Sequence, residues 1–149
     1  MSVKVRLIKK DELKSLLSLY KYLIPDDLEL EVDFKVKELW DEILNDPNLF
    51  YIVIEEDDKI VSSCTLALIK NLTRSARPYG LIENVVTHPK YRNKGYGTAV
   101  LNKAVEICQY KGCYKVMLLT SKKEEHIFRF YKNAGFDRGE KTGFIKRIK

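Results

Sequence analysis

The eight residues Arg92-Asn93-Lys94-Gly95-Tyr96-Gly97-Thr98-Ala99 follow a strand-like run and open an amphipathic helix. A loop that turns directly into a helix leaves several backbone N–H groups without partners, and the aligned peptide dipoles concentrate positive charge at the same point. That is an anion site. Gly95 and Gly97 lack a Cβ and let the backbone approach a bulky diphosphate, while Arg92 and Lys94 add full charges. The segment is not a Walker loop, which requires Gly-x-x-x-x-Gly-Lys-Ser/Thr. It is not a dinucleotide fingerprint either, because Val100 stands where that pattern needs a third glycine.

What remains is Arg-x-x-Gly-x-Gly after a strand, and it resembles the acyl-CoA-binding motif of the GCN5-related N-acetyltransferases. Two more segments are similar to that family's signatures, in the family's order and spacing. They are Leu81-Ile82-Glu83-Asn84-Val85-Val86-Thr87 with His88-Pro89, and Phe130-Tyr131-Lys132-Asn133-Ala134-Gly135-Phe136. More narrowly, the C-terminal half resembles the glucosamine-6-phosphate N-acetyltransferase branch, through residues 82–86, 113–116 and 130–136. It departs from that branch at Asn84, where an aspartate is usual. It departs from the family at His126 and Ile127, where a cofactor-contacting asparagine is common.

The resemblance implies a single α/β domain over 1–149. Its mixed, mostly antiparallel sheet has six to seven strands, with helices on both faces and a splayed central strand pair that admits a pantetheine arm. An acyl-CoA-binding core is expected at about 80–136, and helices at about 10–45 form a wall of the acceptor cleft. Acetyl-CoA is the implied co-substrate. The resemblance further implies that the backbone of Val85, Val86 and Thr87 holds the pantetheine amides, and that Arg92, Asn93, Lys94, Gly95, Tyr96, Gly97 and Thr98 hold the diphosphate. His126 is a candidate for the missing asparagine's contact, and a homodimer is a reasonable assembly.

Acyl transfer from a thioester to an amine needs a neutral nucleophile, stabilisation of developing oxygen charge and a proton for the departing thiolate. An alkyl amine of pKa about 10.4 is neutral in only roughly one molecule per few thousand at pH 7, so a base is required. Glu83, on the strand leading to the phosphate loop, is the candidate base; the alternative is a solvated carboxylate that pairs with an arginine or binds acceptor. Tyr131 is the candidate acid, because a phenol of pKa about 10 stays protonated at neutral pH. Its neighbours Phe130 and Phe136 read as core aromatics. Direct attack in a ternary complex is preferred to a cysteine acyl-enzyme, since none of Cys64, Cys108 and Cys113 has a sequence neighbour that would lower its pKa; Cys113 is the least improbable exception.

Arg74 and Arg77 precede the catalytic strand, and guanidinium forks suit phosphate or carboxylate. With Glu83 and Asn84 they are the candidate acceptor contacts, which makes a small anionic amine the expected acceptor; a basic hairpin loop at a dimer contact is the competing reading. The 27 basic against 21 acidic residues are spread along the chain, which favours a solvated basic surface over nucleic-acid binding. A non-catalytic acyl-CoA sensor is the second alternative. No apolar run approaches the ~20 residues of a membrane helix, and the first residues lack a signal peptide's apolar segment, so a soluble, cytoplasmic protein is expected. The cysteines and two histidines have no metal-ligand spacing, and no metal is expected.

Hydrophobic periodicity predicts strands at 3–8, 49–54, 60–69, 79–87 and 113–120, with closing strands between 136 and 148. It predicts helices from Asp11 to about 24, over 34–44, from the glycines to Gly112, and over 124–133.

Overall fold

The computed structural model describes residues 3–149. Five strands form one sheet in the order β1-β2-β3-β4-β5: β1 (Val5–Leu7), β2 (Leu49–Glu56), β3 (Lys59–Ile69), β4 (Tyr79–Thr87) and β5 (Val116–Leu118). The first four run antiparallel to their neighbours and β5 runs parallel to β4, so the sheet is mixed as expected. The helices are α1 (Leu13–Tyr20), α2 (Phe34–Asn45), a short left-handed turn α3 (Thr73–Ala76), α4 (Tyr96–Tyr110) and α5 (Glu125–Asn133). Among the described residues, no helix is long and apolar enough to cross a membrane.

Local chemistry sets most boundaries. Asp33 caps α2 by accepting from the Val36 N–H at 3.0 Å. The first helix starts differently from expectation: Glu12, not Asp11, accepts the Lys9 N–H at 2.8 Å and is itself held by Arg6 at 2.7 Å. Asp57 and Asp58 take left-handed dihedrals (φ 53° and 59°) and join β2 to β3 in a two-residue hairpin turn. Gly112 (φ 76°) ends α4, where the Cys113 N–H reaches the Cys108 carbonyl at 2.9 Å.

Strand alternation divides the core between the two faces of the sheet. One face puts Ile52, Ile54, Cys64, Leu66 and Ile82 against Val100, Leu101, Ala104 and Cys108 of α4. The other puts Val53, Ile60 and Val86 against Leu19 of α1. Between β3 and β4 the register slips by one residue: Thr65 opposes Glu83, yet Ser63 opposes Val86. Asn84 absorbs the extra residue with φ 54°, a β-bulge in mid-strand.

The expected six to seven strands are five. Residues 113–120 contribute only Val116–Leu118 to the sheet, and 136–148 contribute no strand. Phe144, Ile145 and Ile148 are exposed, so their alternation with lysine and arginine has no sheet face to lie on. Pairing between β4 and β5, the edge strand of the described sheet, is confined to Gly80–Ile82 against Val116–Leu118.

A Cβ on Gly80 would stand 2.6 Å from the Cys108 Sγ and about as tight against Leu66 and Val116 as any real contact allows. Gly80→Ala should therefore cost ~1–3 kcal/mol in chemical denaturation, the usual penalty of overpacking. Adding Cys108→Ala should recover part of that loss, because it removes the closest clash.

Candidate active site

The loop 92–98, the expected phosphate site, is built on an acidic turn. The ring of Tyr96, the first residue of α4, is buried, and its hydroxyl donates to the Glu56 carboxylate. Tyr91 donates to Asp57 Oδ2 at 2.6 Å, a bond that pushes its phenol up to about 12. Lys94 pairs with Glu56 at 3.5 Å and lies over the Tyr91 and Tyr96 rings. The β2–β3 hairpin thus clamps the loop from one side, a role that the acidic run 55–58 did not disclose in the sequence. What Tyr96 offers an anion is its backbone N–H.

The two glycines have different tasks. Gly95 caps α4 at φ 81° with open space where a Cβ would be, so the backbone conformation demands glycine and leaves room for a ligand. Gly97 instead makes way for α5: a Cβ there would meet Phe130 Cζ at 2.9 Å. Asn93 is also left-handed, at φ 63°. Arg92 reaches back from the loop, and its Nε donates to the Thr87 carbonyl at 3.1 Å. Thr87 in turn shares a 2.8 Å hydrogen bond with Ser62 across the strand pair.

Strand β4 continues for five residues beyond its last pairing with β5, which leaves the outer edge of Glu83, Asn84, Val85, Val86 and Thr87 without a strand partner among the described residues. This edge leads straight to the helix N-terminus. Tyr131 approaches it from the α4 face, packed edge-on against Phe130 at 4.9 Å and against Phe136 at 6.4 Å. Burial first, and then the charges at Cys64 and Glu83, push its phenol above the ordinary value. Glu83 is exposed and belongs to the opposite face, as the cross-strand partner of Thr65. The acid and base candidates therefore belong to opposite faces of the sheet.

Other expected contacts fall further off. His126 is exposed in the first turn of α5 and makes no side-chain hydrogen bond to another described residue. Arg77 is committed elsewhere: its Nε donates to the Gly112 carbonyl at 3.0 Å and an Nη to the Cys113 carbonyl at 2.9 Å. That places it at the C-terminal end of α4, roughly 22 Å of helix from the phosphate loop. Arg74 stacks on Tyr114. The Arg77 fork thus ties the segment before β4 to the loop after α4. Sequence reasoning overlooked a set of polar groups on the α1 face, Tyr20, Tyr51 and Thr65.

The Acetyltransferase (GNAT) family profile matches residues 13–136. The chain belongs to the GNAT acetyltransferase family. A protein of Agrobacterium tumefaciens str. C58, named provisionally as an acetyltransferase, is 40% identical, and the match covers 97% of this chain and 99% of that one with a TM-score of 0.91. The Trypanosoma brucei brucei glucosamine 6-phosphate N-acetyltransferase is 42% identical over 78 residues, 52% of this chain. The chain spans only 51% of that relative's length. The Arabidopsis thaliana glucosamine-6-phosphate N-acetyltransferase shares the fold, with a TM-score of 0.83 at 23% identity over 99% of both chains. The Dictyostelium discoideum glucosamine 6-phosphate N-acetyltransferase 1 is 27% identical over 104 residues, 68% of this chain and 64% of that relative.

Gly97→Ala should push Phe130 and with it the neighbouring Tyr131, lowering kcat by about tenfold or more, as misplacement of a catalytic group does. Restoring space with Phe130→Leu should recover much of that loss. Arg77→Ala should lower Tm, from the loss of two hydrogen bonds to the loop after α4, while KM for the acceptor changes by less than about threefold.

Proposed function

We propose that this GNAT protein moves the acetyl group of acetyl-CoA to a primary amine of a small molecule by direct attack in a ternary complex. The observation that supports the proposal is the open β4 edge, with Glu83 on the strand itself and Tyr131 packed against the core on the α4 face of the same sheet. The same edge ends at a helix N-terminus with a left-handed glycine cap and open space above it.

In this reading residues 80–136 bind acetyl-CoA and α1 and α2 form the acceptor wall. The diphosphate lies on the N–H groups of residues 95–98 with Arg92, Asn93 and Lys94 beside it. His126, exposed in the first turn of α5, is the candidate for a peripheral contact with the cofactor. The free edge of Val85, Val86 and Thr87 takes the pantetheine amides, and a backbone N–H at the bulge polarises the thioester carbonyl. Glu83 removes the proton from the acceptor ammonium and Tyr131 supplies one to the departing thiolate. Direct attack is favoured because burial pushes the Cys64 and Cys108 thiols up to about 12, far from a reactive thiolate. Cys113 lies at the end of α4 remote from Gly95.

The relatives named for glucosamine 6-phosphate put an amino-sugar phosphate first among acceptors to try. Thiol release from acetyl-CoA across amino sugars and their phosphates, polyamines, amino acids and lysine peptides tests the proposal. Turnover with a small amine supports it. A CoA-induced thermal shift without turnover of any acceptor would point to a sensor instead.

Tyr131→Phe should lower kcat by about 10²–10³-fold and keep the CoA-induced thermal shift. Because burial raises the Tyr131 phenol, the alkaline loss of activity in the native enzyme should begin only above about pH 10, where an ordinary phenol titrates. Glu83→Gln should lower kcat/KM by about 10–100-fold at neutral pH. The deficit should narrow as pH rises toward the acceptor amine's own pKa and the base becomes unnecessary.

A further inference from the structure

Helix α4 ends in a Schellman turn, and both side chains that this turn brings together are cysteines. The Cys113 N–H donates to the Cys108 carbonyl at 2.9 Å and the Gly112 N–H to the Gln109 carbonyl at 3.2 Å, with Gly112 left-handed at φ 76°. In such a turn a residue in the last helical turn and the residue after the left-handed glycine face each other, commonly as an apolar contact. Here they are Cys108, which is buried, and Cys113, which is half-buried and packed against the same core cluster. The two thiols touch: hydrogen bonding to Cys113 is among the causes, after burial, that push the Cys108 thiol up to about 12.

The backbone fixes their spacing. With standard covalent lengths, a 2.9 Å bond from the N–H of one residue to the carbonyl of the other leaves their Cα atoms no more than about 6.8 Å apart. That is the upper end of the range a disulfide spans. The turn is also pinned from outside, since Arg77 donates to the Gly112 and Cys113 carbonyls at 3.0 and 2.9 Å and the Tyr114 N–H donates to the Pro78 carbonyl at 3.0 Å. Cys113 cannot swing away from Cys108 without breaking bonds on both sides. Any two small apolar residues would satisfy the packing at this turn; a pair of thiols adds the capacity for a covalent bond.

We infer that Cys108 and Cys113 form a reversible dithiol–disulfide site that peroxides oxidise, closing a covalent staple across the C-terminal cap of α4. Cys113, the member open to solvent, attacks a peroxide oxygen; the O–O bond breaks, one water leaves and the thiol becomes a sulfenic acid. The Cys108 sulfur then displaces the sulfenic oxygen as a second water, so two thiols and one hydrogen peroxide give one disulfide and two waters. Buried Cys108 is a poor nucleophile by itself, and its standing contact with Cys113 offsets this through proximity. The staple lies at the opposite end of α4 from Gly95, so it acts on the helix cap and not on the expected acetyl-CoA site. The inference is independent of the acetyltransferase reading.

The test treats the native protein with hydrogen peroxide, alkylates it with iodoacetamide under denaturing conditions and maps the products by mass. The native chain should lose about 2 Da, take up alkyl at Cys64 alone among its three cysteines, and yield a cross-linked Cys108–Cys113 segment. Dithiothreitol should restore alkylation at all three. The oxidised protein should melt about 3–8 °C higher than the reduced one. Cys113→Ser should show neither the cross-link nor the rise, while melting within about 2 °C of the reduced native protein. Cys108→Ser should instead let Cys113 proceed to the sulfinic acid, about 32 Da heavier, because nothing intercepts the sulfenic acid. Native protein in which Cys113 becomes sulfinic while Cys108 remains free to alkylate, or which forms disulfides only between chains, would overturn the inference. Because the readout is mass and not turnover, either result leaves the acetyltransferase reading as it stands.

Discussion

The early parting of β4 from β5 is the constraint on which the rest depends. A parallel pair normally hides both strand edges, but here pairing ends at Ile82 and Leu118, and β4 runs on for five residues. Those residues keep their β3 ladder, so they are rigid, and they expose a backbone edge, so they are adhesive. The bulge at Asn84 falls within this stretch and turns the backbone out of register where a thioester would lie. Rigid scaffold and free hydrogen-bonding groups rarely coincide in a sheet interior, and a splayed pair supplies both.

A second constraint is electrostatic. Concentrating backbone N–H groups, Arg92 and Lys94 at one helix end creates a site that repels itself until an anion arrives. Glu56 and Asp57 relieve this without filling the site. They bind Tyr96, Tyr91 and Lys94 from behind, at the hairpin turn, while the space over Gly95 stays open. Such counter-charges hold the loop in its working shape before ligand binds, which reduces the ordering cost of binding.

How much of this the sequence disclosed follows from how local each feature is. The loop 92–98, the strand 79–87 and the helix from Tyr96 are dictated by neighbours in sequence, and all were legible. Gly112 and Gly135 mark helix ends through their own positive φ. The count of strands was not legible, because the alternation of residues 136–148 says what a strand there would bury but not which edge would accept it. The contacts of Arg77 were not legible for a related reason: a fork suited to phosphate also suits two carbonyls at a helix end, and the fold brings it to the latter. A further reason for Gly97 was not legible either, since its missing side chain makes room for Phe130, thirty-three positions away in sequence.

The same distinction separates the two halves of the site. Acetyl-CoA recognition is written in one segment, so sequence similarity over half a chain carries it between relatives. The face that carries the candidate base is assembled from Tyr20, Tyr51, Thr65 and Glu83, four residues on four elements, the last three brought into a row by strand register. A one-residue shift in either ladder would turn that row to the other face. Substitution at any one of the four leaves the donor half untouched. It follows that acceptor choice can diverge quickly among chains of this fold while acetyl-CoA binding persists, and that likeness in residues 80–136 says more about the donor than about the amine.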